Sequence, residues 1–174
     1  NENNINFIRT PSINSNHTFD IINKENPCLG ISLGNSYISS RIFNIPKYGM
    51  INIHHELLPE YKGAQSIIWQ IYNKSLITGY TIHKMNKTID GGEILLKESF
   101  PIILKDTLKE TVIYNYYQSW KKSTIGLYNI LENFEYCIEN GSIQKVKRNS
   151  YTTPNIFQFI KILFNHYKLS KKNS

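Results

Sequence analysis

Cysteine is scarce: only Cys28 and Cys137 occur in 174 residues, and neither belongs to a CxxC or Cys/His pattern. That argues against a disulfide-stapled scaffold and a cysteine-rich zinc site, and it suits reduced thiols in a cytoplasmic setting. No apolar run approaches the roughly 20 residues needed to cross a bilayer, and no leader of signal-peptide pattern is present. Acidic residues are also few, 13 Asp+Glu against 20 Lys+Arg, for a net charge of +7. Such a charge favours anionic partners such as phosphates, nucleotides, nucleic acid or an acidic membrane surface, and equally serves plain solubility. Internal repeats are absent, and the first residue is Asn1, which suggests a fragment or a processed form. Hydrophobic content of 40% with 13% aromatics is what a packed core requires. At this length one domain is expected, burying roughly two-thirds of the surface of the unfolded chain.

In chain order, Ile5 to Ile8 reads as a short strand before a polar loop. Residues from Thr18 onward form a short helix that Pro27 stops. Cys28 to Gly34 suits a fully buried strand, and Tyr37 to Ile45 has helical spacing before Pro46. A strand, a helix and the apolar run Met50 to Ile53 make a βαβ unit, which implies parallel strands. Pro59 and Gly63 break the periodicity, so a loop should follow that strand. Gln65 to Tyr72 is expected to be helical. Thr78 to Met85 alternates as a strand exposed on one face, and Ile94 to Ile103 should pair with it, with Pro101 at an end or edge. From Asp106 a long helix is expected, with Thr107 and Glu110 as capping box and Leu108, Val112, Ile113, Tyr116 and Trp120 as its buried stripe. After the Asn140-Gly141 turn, residues 142–149 read as a weak strand or an extended arm. Pro154 could open a last helix that carries Phe157, Ile160, Phe164 and Tyr167 on one face with Lys161, Lys168, Lys171 and Lys172. That helix suits docking onto the domain, a membrane surface or a dimer contact.

Three polar residues fall where open α/β sheets place their ligands, outside the carboxyl ends of strands. Asn52 and His54 are two residues apart, so on a strand they face one side. Asp90 sits in a turn that Gly91 and Gly92 free from ordinary backbone limits. A His can exchange a proton near pH 7, an Asn amide can donate to a developing oxyanion, and an Asp can orient the imidazole. Together they suit acyl transfer. Taken singly, a His at a strand end serves as a polar cap and Asp-Gly-Gly as a plain turn.

The segment NIHHELLPEYKGAQSIIWQIYN, followed by TGYTIHKMNKTIDGGEIL, resembles the folate-dependent formyltransferases. In order it matches Asn-x-His-x-x-x-Leu-Pro, a Tyr-x-Gly loop, Thr-Gly-x-Thr and Asp-x-Gly, and the similarity runs from about Ser32 to Tyr117. The resemblance implies an α/β fold with a Rossmann-like, mostly parallel sheet whose first strands are missing. It implies a catalytic domain over residues 1–150 and a basic amphipathic tail over 151–174.

It further implies formyl transfer from 10-formyltetrahydrofolate to a primary amine, without a metal. Asn52 and protonated His54 would stabilise the oxyanion, and Asp90 would hold the imidazolium and relay a proton. The pterin would lie near Ser36 to Ser39, with Tyr37 and Ile38, and against the loop Asn86 to Gly91, with Ile89. His55, Glu56, Lys62 and Gln65 depart from common family residues and are expected on the acceptor side. The implied acceptor is a nucleotide-linked amino sugar, with nucleic acid not favoured because the tail is too short for a tRNA-binding domain; a homodimer is compatible. Glycinamide ribonucleotide, methionyl-tRNA, or a non-catalytic remnant that binds folate or nucleotide are the alternatives.

Overall fold

The computed structural model describes residues 5–65, 67–145 and 150–172. Its centre is a four-stranded sheet in the order β1-β2-β3-β4, formed by Gly30–Leu33, Met50–His54, Ile77–Lys84 and Ile94–Pro101. The first pair is parallel, joined through the one-turn helix α2 (Ser40–Phe43), as a βαβ unit demands. The other two pairings are antiparallel, which corrects the expected mostly parallel sheet. The reason is that β3 returns beside β2 from the opposite end, and the turn at 85–93 then reverses the chain into β4.

Burial also departs from the pattern of the sequence. β1 is an edge strand with Ile31 and Leu33 exposed, not a fully buried one. β3 is buried on both faces over six residues, because the site covers one side and a helix the other. Residues 5–8 form no strand, and 146–149 of the expected weak strand lie outside the described residues. Within that stretch Ser142 does bridge to Ile94.

α1 (Asn16–Glu25) is capped by Ser15, whose hydroxyl accepts from the Thr18 N–H, and it packs with α2 around Ile38, Ile42, Phe43 and Met50. α3 (Ile68–Tyr72) is shorter than its periodicity suggests. The long helix α4 (Leu108–Glu132) has the expected reciprocal capping box, Thr107 with Glu110. Of the expected stripe, Leu108 and Val112 pack against the core, but Ile113, Tyr116 and Trp120 are exposed, and the fully buried face is Thr111, Asn115, Ser119, Ser123, Gly126 and Ile130. Small and polar residues win that face because α4 lies directly on β-structure backbone. Asn115 accepts from the Ile103 N–H and donates to the Ile103 carbonyl, both at 2.8 Å, so its amide continues the hydrogen bonding of β4. Gly126 packs against Tyr80, where a Cβ would stand 2.3 Å from the phenol oxygen.

α5 (Phe134–Glu139) turns the chain, and α6 (Ile156–Lys172) docks on α3. The Asn165 amide donates to the carbonyls of Ile71 and Tyr72 at 3.1 and 2.9 Å, satisfying the open C-terminal end of α3. His166 bonds Thr111 of α4 at 2.8 Å. No helix among the described residues is long and apolar enough to cross a membrane.

Candidate active site

β2 and β3 pair in a register that sets Asn52 opposite His83 and His54 opposite Thr81. Side chains alternate along a strand, so these four share one face, while Ile51, Ile53, Tyr80 and Ile82 fill the core on the other. Beyond the end of β3 the chain turns through Asp90, whose φ of 48° aims its carboxylate back at both histidines. Asp90 Oδ2 lies 3.9 Å from His54 Nδ1, and Oδ1 lies 3.7 Å from His83 Nε2. The structure therefore brings Asn52, His54 and Asp90 together and adds His83 between them.

The hydrogen bonds assign the imidazole tautomers. A carbonyl only accepts, so His54 Nε2 donates to the Tyr61 carbonyl at 2.7 Å. Nδ1 is then the nitrogen free to take a proton, and it faces the Asp90 carboxylate. In the same way His83 Nδ1 donates to the Lys84 carbonyl at 2.9 Å, leaving the Nε2 lone pair to accept from Asn52 Nδ2 at 3.2 Å. His83 is only 2% exposed, and burial holds its pKa below the ordinary imidazole range. It stays neutral and orients the Asn52 amide, whose second N–H remains available.

The loop after β2 is stitched into the site from both sides. The Gly63 N–H donates to Asp90 Oδ2 at 2.8 Å, and Gly63 also forms a bridge with Tyr151. Gly63 has φ 93°, and a Cβ there would sit 2.3 Å from the Tyr151 carbonyl, so only glycine fits. Gln144 Nε2 donates to the carbonyls of Asp90 and Gly92 at 2.9 and 2.7 Å, holding the other side of the turn.

A cleft of about 140 Å³ opens beside the polar cluster. Ser36, Tyr37, Ile38, Asn86 and Ile89, expected against a pterin, all line it with Asn52, His83 and Asp90. Gly91 does not; its N–H closes the turn onto the Thr88 carbonyl. Ser32, Asn35, Met85 and Thr88 complete the wall. Thr88 falls within the loop expected against the pterin, whereas Ser32, Asn35, Met85 and His83 were not among the residues the sequence singled out. For His83 the alternation of β3 was the available signal, but its pairing with Asn52 depends on a strand register that one sequence does not display.

Of the residues expected on the acceptor side, two are turned into the interior. His55 bonds Ser119 at 3.2 Å and meets the Tyr116 ring edge-on, both on α4. Buried Glu56 accepts the Ile67 N–H through Oε1 and fixes the strained backbone there, with φ 71° at Ile67. The Thr81 hydroxyl donates to the Glu56 carbonyl and accepts from the Leu58 N–H, pinning the same loop. The cause is geometric: His55 follows His54 directly, so it points to the opposite side. Lys62 is buried near the polar cluster, where its charge adds to the lowering of the His83 pKa. Gln65 is exposed at φ 72°.

Burial, with a smaller push from His54, lowers the His55 pKa to about 4. Unfolded, an imidazole titrates near 6.5, so between those values the unfolded chain binds the extra proton and gains on the fold. The melting temperature should therefore fall as pH drops from about 6.5 towards 4. His55→Phe should flatten part of that fall, measured by thermal denaturation across the range. An undiminished fall in the variant would assign the loss to other groups, such as His83 and His166, which burial also holds low.

The family model for formyl transferase matches residues 35–122, half of the chain, and this segment contains Asn52, His54, His83 and Asp90. The chain belongs to the formyl transferase family. It is 36% identical over 105 residues to methionyl-tRNA formyltransferase of Caldicellulosiruptor saccharolyticus, a match over 59% of this chain and 34% of that enzyme. Among solved structures, a sugar N-formyltransferase from a Shewanella species shares the fold, with TM-score 0.64 and 22% identity, over 88% of this chain and 65% of that one. Glycinamide ribonucleotide transformylase 1 from Symbiobacterium toebii superposes with TM-score 0.52 and 18% identity, over 59% of this chain and 49% of that one. The chain spans about a third of the length of the curated methionyl-tRNA enzyme it matches.

Proposed function

We propose that this formyltransferase chain carries the catalytic centre for moving a formyl group from 10-formyltetrahydrofolate to a primary amine on a nucleotide-linked amino sugar. The observation that carries the reaction is that Asn52 and Asp90 line a cleft together while His54 stands behind Asp90, 3.9 Å from its carboxylate. The cleft suits a flat heteroaromatic ring: Ile38 and Ile89 offer apolar walls, and polar Ser36, Asn86 and Thr88 stand at its margin. When bound, the folate donor supplies the activated formyl carbon.

The chain's own groups then divide the work. As the acceptor amine attacks, negative charge grows on the formyl oxygen, and the second Asn52 N–H is placed to donate to it. His54, once protonated at Nδ1, adds a positive charge beside that oxygen while Asp90 balances it. At 3.9 Å the His54–Asp90 pair is too long for a direct hydrogen bond; the proton the amine gives up as its bond to the formyl carbon forms would pass by way of these two groups to the folate nitrogen, whose bond to that carbon breaks, releasing tetrahydrofolate. Neutral His83 holds the Asn52 amide in its donating orientation.

The choice of acceptor is supported by how far the fold likeness reaches. The sugar N-formyltransferase superposes over 88% of the chain, against 59% for the glycinamide ribonucleotide enzyme. The test is incubation of the chain with 10-formyltetrahydrofolate and nucleotide-linked amino sugars, glycinamide ribonucleotide or methionyl-tRNA in parallel, with product mass as readout. Formylation of the amino sugar is expected. Turnover of glycinamide ribonucleotide or methionyl-tRNA alone rejects the sugar acceptor, and folate binding without any turnover favours a binding remnant.

A further inference from the structure

The chain's positive charge is not spread along it. Residues 1–139 contain 13 Lys+Arg and 13 Asp+Glu, whereas no acidic residue follows Glu139 and seven basic ones do: Lys145, Lys147, Arg148, Lys161, Lys168, Lys171 and Lys172. The net charge of +7 thus resides in the last fifth of the sequence, and α6 lies within it.

Among the described residues, α6 has one partnered face. Ile162, Asn165 and His166 are buried against α3 and α4, and at 100° per residue the opposite side carries Phe157, Ile160, Phe164 and Tyr167. These four are 80%, 56%, 55% and 57% exposed. They form a stripe about 15 Å long. Lys161, Lys168 and Lys171 flank or end it, with their ammonium groups over the rings of Tyr72, Phe164 and Tyr167 at 3.9, 4.3 and 4.9 Å. An aromatic stripe edged by lysines that can extend their charges, with no carboxylate on the helix, is the pattern of a helix that lies in a membrane interface.

We propose that the outer face of α6 docks on an anionic lipid bilayer, with Phe157, Ile160, Phe164 and Tyr167 entering the headgroup boundary and the lysines meeting lipid phosphates. A second copy of the chain fits this face poorly. A two-fold contact would lay an acid-free, lysine-bearing surface against itself, and like charges would meet without partners. Nucleic acid would use the lysines but has no need of four large apolar side chains in a row.

The full chain should co-sediment with vesicles of equal parts phosphatidylglycerol and phosphatidylcholine, but not with phosphatidylcholine alone. Binding should weaken as salt rises. The double variant Phe157→Ser/Phe164→Ser should abolish it. Lys168→Glu/Lys171→Glu should lower the partition at least tenfold, since each lysine near such a surface contributes about a fivefold gain. All four positions are on the open side of the helix, so far-UV circular dichroism should be unchanged. Ile160→Ser/Tyr167→Ser gives an independent pair if the first variant misfolds. No binding to the anionic vesicles, equal binding to neutral ones, or binding that survives loss of the stripe overturns the proposal. So does a concentration-dependent dimer that the serine variants dissolve while vesicle binding is absent. Vesicle binding is read without turnover, so its outcome is separate from that of the formyl-transfer assay.

Discussion

His54→Ala is expected to lower formyl transfer at least about a hundredfold, the range by which positioned acid–base groups contribute. The side chain is nearly buried at the end of β2, its Nε2 is committed to the Tyr61 carbonyl, and Nδ1 is the nitrogen left to exchange a proton. Alanine removes that proton and also frees the Tyr61 carbonyl, so a loosened 61–64 loop could imitate a catalytic loss. His54→Gln separates the two, because its amide N–H can still reach the carbonyl while no group remains to titrate. Steady-state rates for both variants, with melting temperatures as control, are the measurement. Equal loss in the two at unchanged stability assigns the effect to proton chemistry. A wild-type rate in either one removes His54 from the reaction.

Gly79→Ala is expected to destabilise the fold by about 3 kcal/mol, at the upper end of ordinary overpacking. The position lies within β3, opposite Ser99 of β4. A Cβ added there would stand 2.1 Å from the Glu98 carbonyl oxygen and 2.4 Å from Leu57 Cδ2. The leucine could turn aside, but the carbonyl belongs to the neighbouring strand, so β3 and β4 would have to part. For a chain of this length the melting temperature should fall by roughly 6–12 °C. An unchanged melting temperature would show that the strands separate without cost. The glycine of the Thr-Gly-x-Thr motif is thus explained by close strand approach, and Thr81 of the same motif by its two bonds to the loop after β2.

Much of the chain's local structure was legible in its residues. Thr107 and Glu110 announced the start of α4, Pro101 marked the end of β4, and the spacing of Asn52 and His54 put both on one face. Each of these depends on neighbours within a few positions, where backbone geometry dictates which groups can meet. The stripe of α4 could not be read in the same way. Ile113, Tyr116 and Trp120 look like a core face by composition, yet Asn115 and Ser119 are buried because they bond backbone groups of Ile103 and Gly79. A rule that equates burial with hydrophobicity misses a helix seated on polar backbone.

The sequence by itself determined the composition of the polar cluster: Asn52, His54 and the glycine-flanked Asp90, all within the segment that the formyl transferase family model matches. Only the tertiary structure decided that His83 joins them, that His55 and Glu56 turn inward, and that β3 and β4 run antiparallel. The physical reason is strand register. A shift of one residue between β2 and β3 would send His83 to the opposite face, and register is set by packing across the whole sheet rather than by either strand alone.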